Sequence, residues 1–306
     1  MIIITKVVVS YKNADLDGVA CAYAYAEFLN KMGHSAGYYI KMPMQKEVSI
    51  VCSMFNIELN NTSYDFNSSE IIVVDTNTLS AVDFVPTDRI IEIIDHHPIS
   101  GDDFGKAELK LYKLGAICTL IAEYFRDNNL TMSRETAILL YYGIISNTVN
   151  FNANITTIRD RKMANWLKDQ CSEIDEKLIG DIFDKKSVVD LNNLRFEMEV
   201  EEKFYVGSYG FVIGQLEITN AEDFLWENRD AIDNIFEDVK KEFNVSLVFI
   251  NIVDIFRGYH IIYTPSSETE RFFLDHYGLK FKNGIIREES YMLRKEIKMF
   301  LRKNFK

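Results

Sequence analysis

One octapeptide limits what this chain can become: Ile91-Glu92-Ile93-Ile94-Asp95-His96-His97-Pro98. A β-branched run ends in an acid and two adjacent imidazoles. It reads as a buried strand of a parallel sheet, and open α/β sheets gather their functional groups at the carboxyl ends of such strands. Two of the chain's five histidines stand here. Two other apolar runs end the same way. Residues 6–10 lead to Asp15 and Asp17, and Ile71-Ile72-Val73-Val74 ends at Asp75. A surface loop that held two histidines by chance would not be matched by acids after two other strands.

The intervening pattern supports a doubly wound, mostly parallel α/β sheet. An alanine-rich helix at 19–29 follows the first strand, a strand is expected at 36–40, and a second helix at about 46–55. Helices at 120–126, 133–142 and 158–169 follow the fourth strand, with Ser133 as an N-cap. Gly115 to Thr119, at a helix start, offer N–H groups and a hydroxyl to a phosphate. From about 184 to 196 the pattern turns polar, which places a boundary between a domain at 1–188 and a smaller mixed-sheet α/β domain at 189–306. In the second domain, 211–218 and 245–253 read as central strands, and 221–243 as one or two acidic helices. The basic tail from 291 to 306 reads as a solvated face.

The formal net charge of −12 argues against nucleic acid as a bulk partner but leaves room for a small phosphorylated substrate. The four cysteines form no CxxC pair, which argues against structural zinc; Cys21 and Cys118 fit apolar helical faces. No run approaches bilayer length and the N-terminus reads as a strand, so a cytoplasmic protein without membrane contact is expected. His34 is expected to be an exposed bystander.

Parallel topology brings the strand ends to one edge. Carboxylates converging there beside an imidazole repel one another unless cations neutralise them, and divalent metals that bind phosphate and activate water would do so. At this point the chain resembles the DHH phosphoesterase superfamily, in its motif Asp95-His96-His97. Within it the closest likeness is to the family II, manganese-dependent inorganic pyrophosphatases and the exopolyphosphatases. Residues 11–17, Asp75, Ser146-Asn147-Thr148, Ile213-Gly214-Gln215-Leu216-Glu217 and Leu293-Arg294-Lys295 match the remaining motifs.

The resemblance implies a hydrolase that cleaves pyrophosphate or a short polyphosphate in a cleft between two domains. It implies Asp15, Asp17, Asp75 and His96 as metal ligands, with Asp75 bridging, and Asn147 at a further ligand position. His97 would face the phosphate and protonate the leaving group, with Asp95 grouped beside it as catalytic. Arg294 and Lys295 would bind phosphate. Up to two ions are implied, Mn²⁺ or Mg²⁺, with Co²⁺ to be tried, and a homodimer is allowed.

The chain also departs from the family. Tyr11 stands where the pyrophosphatases carry a metal-binding histidine, Asn147 where they carry an aspartate, and Leu293 where they carry a serine. A family lysine aligns with Glu202, beside Lys203. Exchanging an imidazole for an oxygen ligand tilts preference from Mn²⁺ toward Mg²⁺. These departures keep a second reading open, a protein that binds or senses a phosphorylated ligand. A third, a phosphodiesterase on small nucleotides, ranks below both because the glycine-rich C-terminal motif of those relatives is missing.

Overall fold

The computed structural model describes residues 6–198, 200, 203–255, 257–290 and 292–305. The expectations for residues 1–5, Glu202 and Tyr291 lie outside the described residues. Two compact units form, Met1–Ile182 and Phe183–Lys306. The division falls ahead of the expected 188/189 boundary, inside a helix whose apolar residues Ile179, Ile182 and Phe183 are all buried.

In the first unit the chain runs β1 (Lys6–Val9), α1 (Leu16–Lys31), β2 (Ala36–Tyr39), α2 (Lys46–Phe55), β3 (Glu70–Val74), β4 (Ile90–Asp95), β5 (Glu108–Leu111), α3 (Ile117–Asp127), α4 (Arg134–Asn147), α5 (Ile158–Gln170) and α6 (Leu178–Lys186). All five strands are parallel, in the order β2-β1-β3-β4-β5. The winding therefore reverses between β1 and β3, the place where such sheets open a crevice beyond their carboxyl ends. This is the doubly wound sheet expected from the sequence.

Helix α1 packs against β1, β2 and β3 on one face of the sheet and against α3 and α4 outside it. On the other face Val7, Val9, Ile71, Val73 and Ile93 pack beneath Val82, Val85 and Phe104, with Tyr64 and Phe66 alongside. That cover is made of irregular segments and two short 3₁₀ turns, not helices. Ile93 and Ile94 are fully buried, each contributing roughly 1.5–3 kcal/mol relative to exposure. Helix α4 starts at the expected cap, where Ser133 Oγ accepts from Thr136 N at 3.2 Å. It does not stop at Tyr142 but runs on to Asn147. Gly143 allows this, because a Cβ there would lie 2.6 Å from Cys118 Sγ. The edge strand β5 was not expected from the sequence; Glu108-Leu109-Lys110-Leu111 is short, polar and mostly exposed.

The second unit adds α7 (Leu194–Glu197), β6 (Phe204–Val206), β7 (Tyr209–Ile218), α8 (Ala221–Glu227), α9 (Arg229–Phe243), β8 (Leu247–Asp254), β9 (Tyr259–Tyr263), α10 (Ser267–Tyr277), β10 (Ile285–Glu288) and α11 (Arg294–Asn304). Its sheet has the order β10-β9-β8-β7-β6, parallel only between β7 and β8, and is thus the expected mixed sheet. Apolar clusters cover both faces, one including α8 and α9 residues and the other α10 and α11 residues. The basic tail is consequently only half a solvated face, since Ile297 and Leu301 of α11 are buried in the second cluster. Among the described residues no helix is long and apolar enough to cross a membrane.

Candidate metal centre

Asp75 directly follows strand β3, and its backbone turns into the left-handed region with φ 63°. That conformation is uncommon outside glycine, although Asp and Asn tolerate it best. Asp75 N donates to Ile94 O of β4 at 2.8 Å and holds the turn in place. The side chain is 1% exposed, and among the described residues neither carboxylate oxygen has a hydrogen-bond partner. Burial, reinforced by the charges of Asp17 and Asp15, pushes its pKa well above the usual carboxylate range.

Strand β4 supplies the other half. His96 Nδ1 lies 2.9 Å from Leu114 O. A carbonyl is only an acceptor, so Nδ1 carries the proton. That leaves Nε2, which stands 3.3 Å from Asp75 Oδ1 without forming a hydrogen bond to it. Two buried acceptors thus face one another with nothing to share, the arrangement a cation resolves and the Leu114 carbonyl prepares by fixing the tautomer.

His97 points another way. Its Nδ1 lies 2.7 Å from Asp95 Oδ1, and its side chain is 36% exposed. Asp95 Oδ1 also accepts from the His96 and His97 backbone N–H groups, at 2.7 and 3.1 Å, while Oδ2 accepts from Asn77. Burial alone would raise the Asp95 pKa, but His97 and these donors outweigh it and hold the carboxyl below its ordinary value. Asp95 therefore orients His97 instead of reaching outward itself.

The acids of the first motif are held differently. Asp15 caps α1, accepting from Gly18 N at 2.9 Å, and its backbone N–H donates to Tyr11 Oη at 3.2 Å. Burial, then Glu47 and Asp17, raises the Asp15 pKa to about 6. Asp17 is fully buried and accepts from Ile117 N and Cys118 N, both at 2.8 Å, at the start of α3. Asn147 Nδ2 donates to Asp17 Oδ2 at 3.1 Å and to Gly115 O at 2.9 Å. It is the amide nitrogen of Asn147 that meets Asp17. Tyr11 is half-buried, and desolvation of its phenol first, then the charges of Asp15 and Asp75, pushes it well above the usual range.

The expected phosphate cradle at Gly115 to Thr119 is overturned. Its N–H groups are already taken, those of Gly115 and Ala116 by Asp160 and those of Ile117 and Cys118 by Asp17. The Thr119 hydroxyl also donates to Asp160. A helix N-terminus occupied by two internal carboxylates has no donors left for a ligand.

Asp75, Asp95, His96 and His97 each bring a ligand atom to within 4.8 Å of the others, whereas Asp17 groups instead with the buried thiols Cys21 and Cys118. Asp15 is in neither group. Arg294 and Lys295 open α11 of the second unit, and Arg294 N donates to Gln215 Oε1 at 2.6 Å.

Residues 5–144 match the family model described as the DHH family, N-terminal domain. The first unit is a DHH-family domain. The chain is 25% identical over 299 residues to a manganese-dependent inorganic pyrophosphatase of Methanothrix thermoacetophila, covering 94% of each. It is 25% identical over 257 residues to that of Bacillus subtilis, covering 80% of this chain and 81% of the relative. A solved chain from Methanococcus jannaschii, provisionally assigned to the family II inorganic pyrophosphatases, superposes with a TM-score of 0.76. It is 22% identical and covers 98% of this chain and 99% of its own, a likeness of fold.

Two acids of this DHH-family domain escaped the sequence reading. Glu47 on α2 is buried, accepts from Leu16 N at 2.8 Å and takes the Ser146 hydroxyl on its other oxygen. Asp160 gathers five donors from residues 115–119 and Thr157. In sequence both look like ordinary first-turn acids of a helix. The one available signal was their position in that first turn, which is shared with many exposed residues.

Proposed function

We propose that this chain is a metal-dependent phosphohydrolase that cleaves a phosphoanhydride, pyrophosphate or a short polyphosphate, with water as the nucleophile. The observation that carries the reading is the pair of buried, unpartnered acceptors, the Asp75 carboxylate and His96 Nε2, next to the half-exposed His97. Asp75 and His96 would hold Mn²⁺ or Mg²⁺, with Asp15 and Asp17 as neighbouring carboxylates. A divalent ion bound there supplies charge neutralisation for phosphate oxygens and lowers the pKa of water to about 7.

The chain's own groups do the rest. Asp95 fixes His97 through Nδ1, so that Nε2 is the nitrogen that exchanges a proton with the phosphate. When protonated, Nε2 passes that proton to the leaving oxygen. Arg294 and Lys295 supply two consecutive cations for phosphate oxygens, a role that rests on the motif they match. The choice of pyrophosphate is supported by the relatives named as manganese-dependent inorganic pyrophosphatases.

The test is phosphate release from pyrophosphate and from tripolyphosphate with Mn²⁺, Mg²⁺ and Co²⁺ in turn. A folded protein that turns over neither substrate with any of these ions sinks the reading. One observation favours a second reading, a protein that binds a phosphorylated ligand without hydrolysing it: a neutral amide, Asn147, bonds to Asp17 where an acid would add negative charge. Tight calorimetric binding of pyrophosphate with no phosphate released would decide for it.

A further inference from the structure

We infer that the centre holds one divalent ion, between Asp75 and His96, and that Asn147 closes the place of a second by donating its amide to Asp17. The inference deepens the phosphohydrolase reading and rests on its premise that these strand ends bind a cation.

The amide orientation of Asn147 is fixed by its partners. The backbone oxygen of Gly115 and a carboxylate oxygen of Asp17 both face Nδ2, at 2.9 and 3.1 Å, and neither has a proton to give. Only the NH₂ end of an amide satisfies both. A cation seated against Asp17 on that side would meet N–H hydrogens and would have to break both bonds.

Asp17 is also compensated at both of its oxygens. Ile117 N and Cys118 N, at 2.8 Å each, belong to the first turn of the eleven-residue helix α3, whose N-terminal dipole favours an anion. With Asn147 and the Cys21 thiol, which donates to Oδ1 at 3.6 Å, one carboxylate takes four donors. Asp75, by contrast, has none on either oxygen among the described residues, and neither has His96 Nε2. The two acids therefore differ in what they lack. Asp17 has its charge answered from within the chain, and Asp75 does not.

Metal-free protein titrated with MnCl₂, with bound metal counted after dialysis and the spin state read by electron paramagnetic resonance, tests this without any turnover. The wild type is expected to saturate at one Mn²⁺ per chain with the six-line spectrum of an isolated ion. Asn147→Asp is expected to saturate at two, with the altered spectrum of an exchange-coupled pair, and Asn147→Ala to remain at one. Two ions in the wild type would overturn the inference, as would a folded Asn147→Asp that still binds one. If Asn147→Asp does not fold, the wild-type count decides alone. A wild type that binds no Mn²⁺ overturns the metal premise of the phosphohydrolase reading itself, whereas a count of two leaves that premise standing and removes only the single-ion inference.

Discussion

His96 Nε2 and Asp75 Oδ1 stand 3.3 Å apart and neither has a hydrogen-bond partner among the described residues, although the opposite edge of the same imidazole is anchored on Leu114 O. An unsatisfied buried charge is a cost that function can sustain and stability does not need. Asp75→Asn should therefore raise the melting temperature of the metal-free protein, by a few degrees if about 1 kcal/mol is relieved. The same change should abolish the rise in melting temperature that Mn²⁺ gives the wild type. Thermal denaturation with and without MnCl₂ measures both. A metal-free variant less stable than the wild type would mean that Asp75 is satisfied in some other way.

Asp95 and His97 make a separate pair, at 2.7 Å, and the proposed hydrolysis assigns proton transfer to its outer nitrogen. His97→Gln should lower turnover of pyrophosphate by about 10²- to 10⁴-fold. Asp95→Asn should lower it less, because an amide no longer selects Nδ1–H, and should add little to His97→Gln in the double variant. A double variant in which the two losses simply multiply would reduce the pair to a structural contact.

The raised Asp15 carboxyl gives a sign to the pH dependence. Its folded pKa is about 6 against an ordinary value of 3.8, so folding favours the protonated form. The stability it contributes is present at the acid end and is lost as pH rises through about 4 to about 6. Asp15→Asn keeps an N-cap side chain that accepts from Gly18 but cannot titrate. Metal-free wild type should lose melting temperature relative to this variant between pH 4 and pH 6, and saturating Mn²⁺ should erase the difference.

The strand ends were legible because parallel strands carry their chemistry in a local code, a β-branched run followed by an acid. Asp75, Asp95 and His96 come together because neighbouring strands end together. Asp17 and Asn147 were legible as residues but not in their pairing, since nothing local says that an amide 130 positions away points its NH₂ at a carboxylate. Glu47 and Asp160 were illegible for a different reason. A buried acid that serves helix starts has the same sequence signature as an exposed one, and only the packing of α2 and α5 separates the two. Strand β5 hid because an exposed edge needs little apolar sequence.

Gly18 is where close approach decides the residue. A Cβ there would lie 2.3 Å from Ser10 Oγ, itself buried without a partner, and 3.2 Å from Asp75 Oδ2. Gly18→Ala should cost about 1–3 kcal/mol through overpacking and weaken Mn²⁺ binding by displacing Asp75. Adding Ser10→Ala should recover part of the stability, since the two sites share one contact. Chemical denaturation of the two single variants and the double variant measures the coupling, and simple additivity would place the collision elsewhere.

Asp160 separates what holds the scaffold from what holds the ion. It accepts from Gly115 N and Ala116 N at the entry to α3 and from Thr157 N and Oγ1 at the entry to α5, and also takes the Thr119 hydroxyl. Truncation would strand buried donors on two helices at once, each costing on the order of 1–3 kcal/mol. Asp160→Ala should therefore destabilise by about 3–5 kcal/mol and lower the denaturation midpoint sharply. Asp17→Ala strands two α3 donors and the Asn147 amide and should also destabilise, though by less. The two variants should part company in metal binding. At temperatures where both remain folded, Asp160→Ala should keep the wild-type Mn²⁺ count, because none of its five bonds reaches Asp75 or His96. A lost ion in folded Asp160→Ala would show that the start of α3 transmits to the metal side of the sheet.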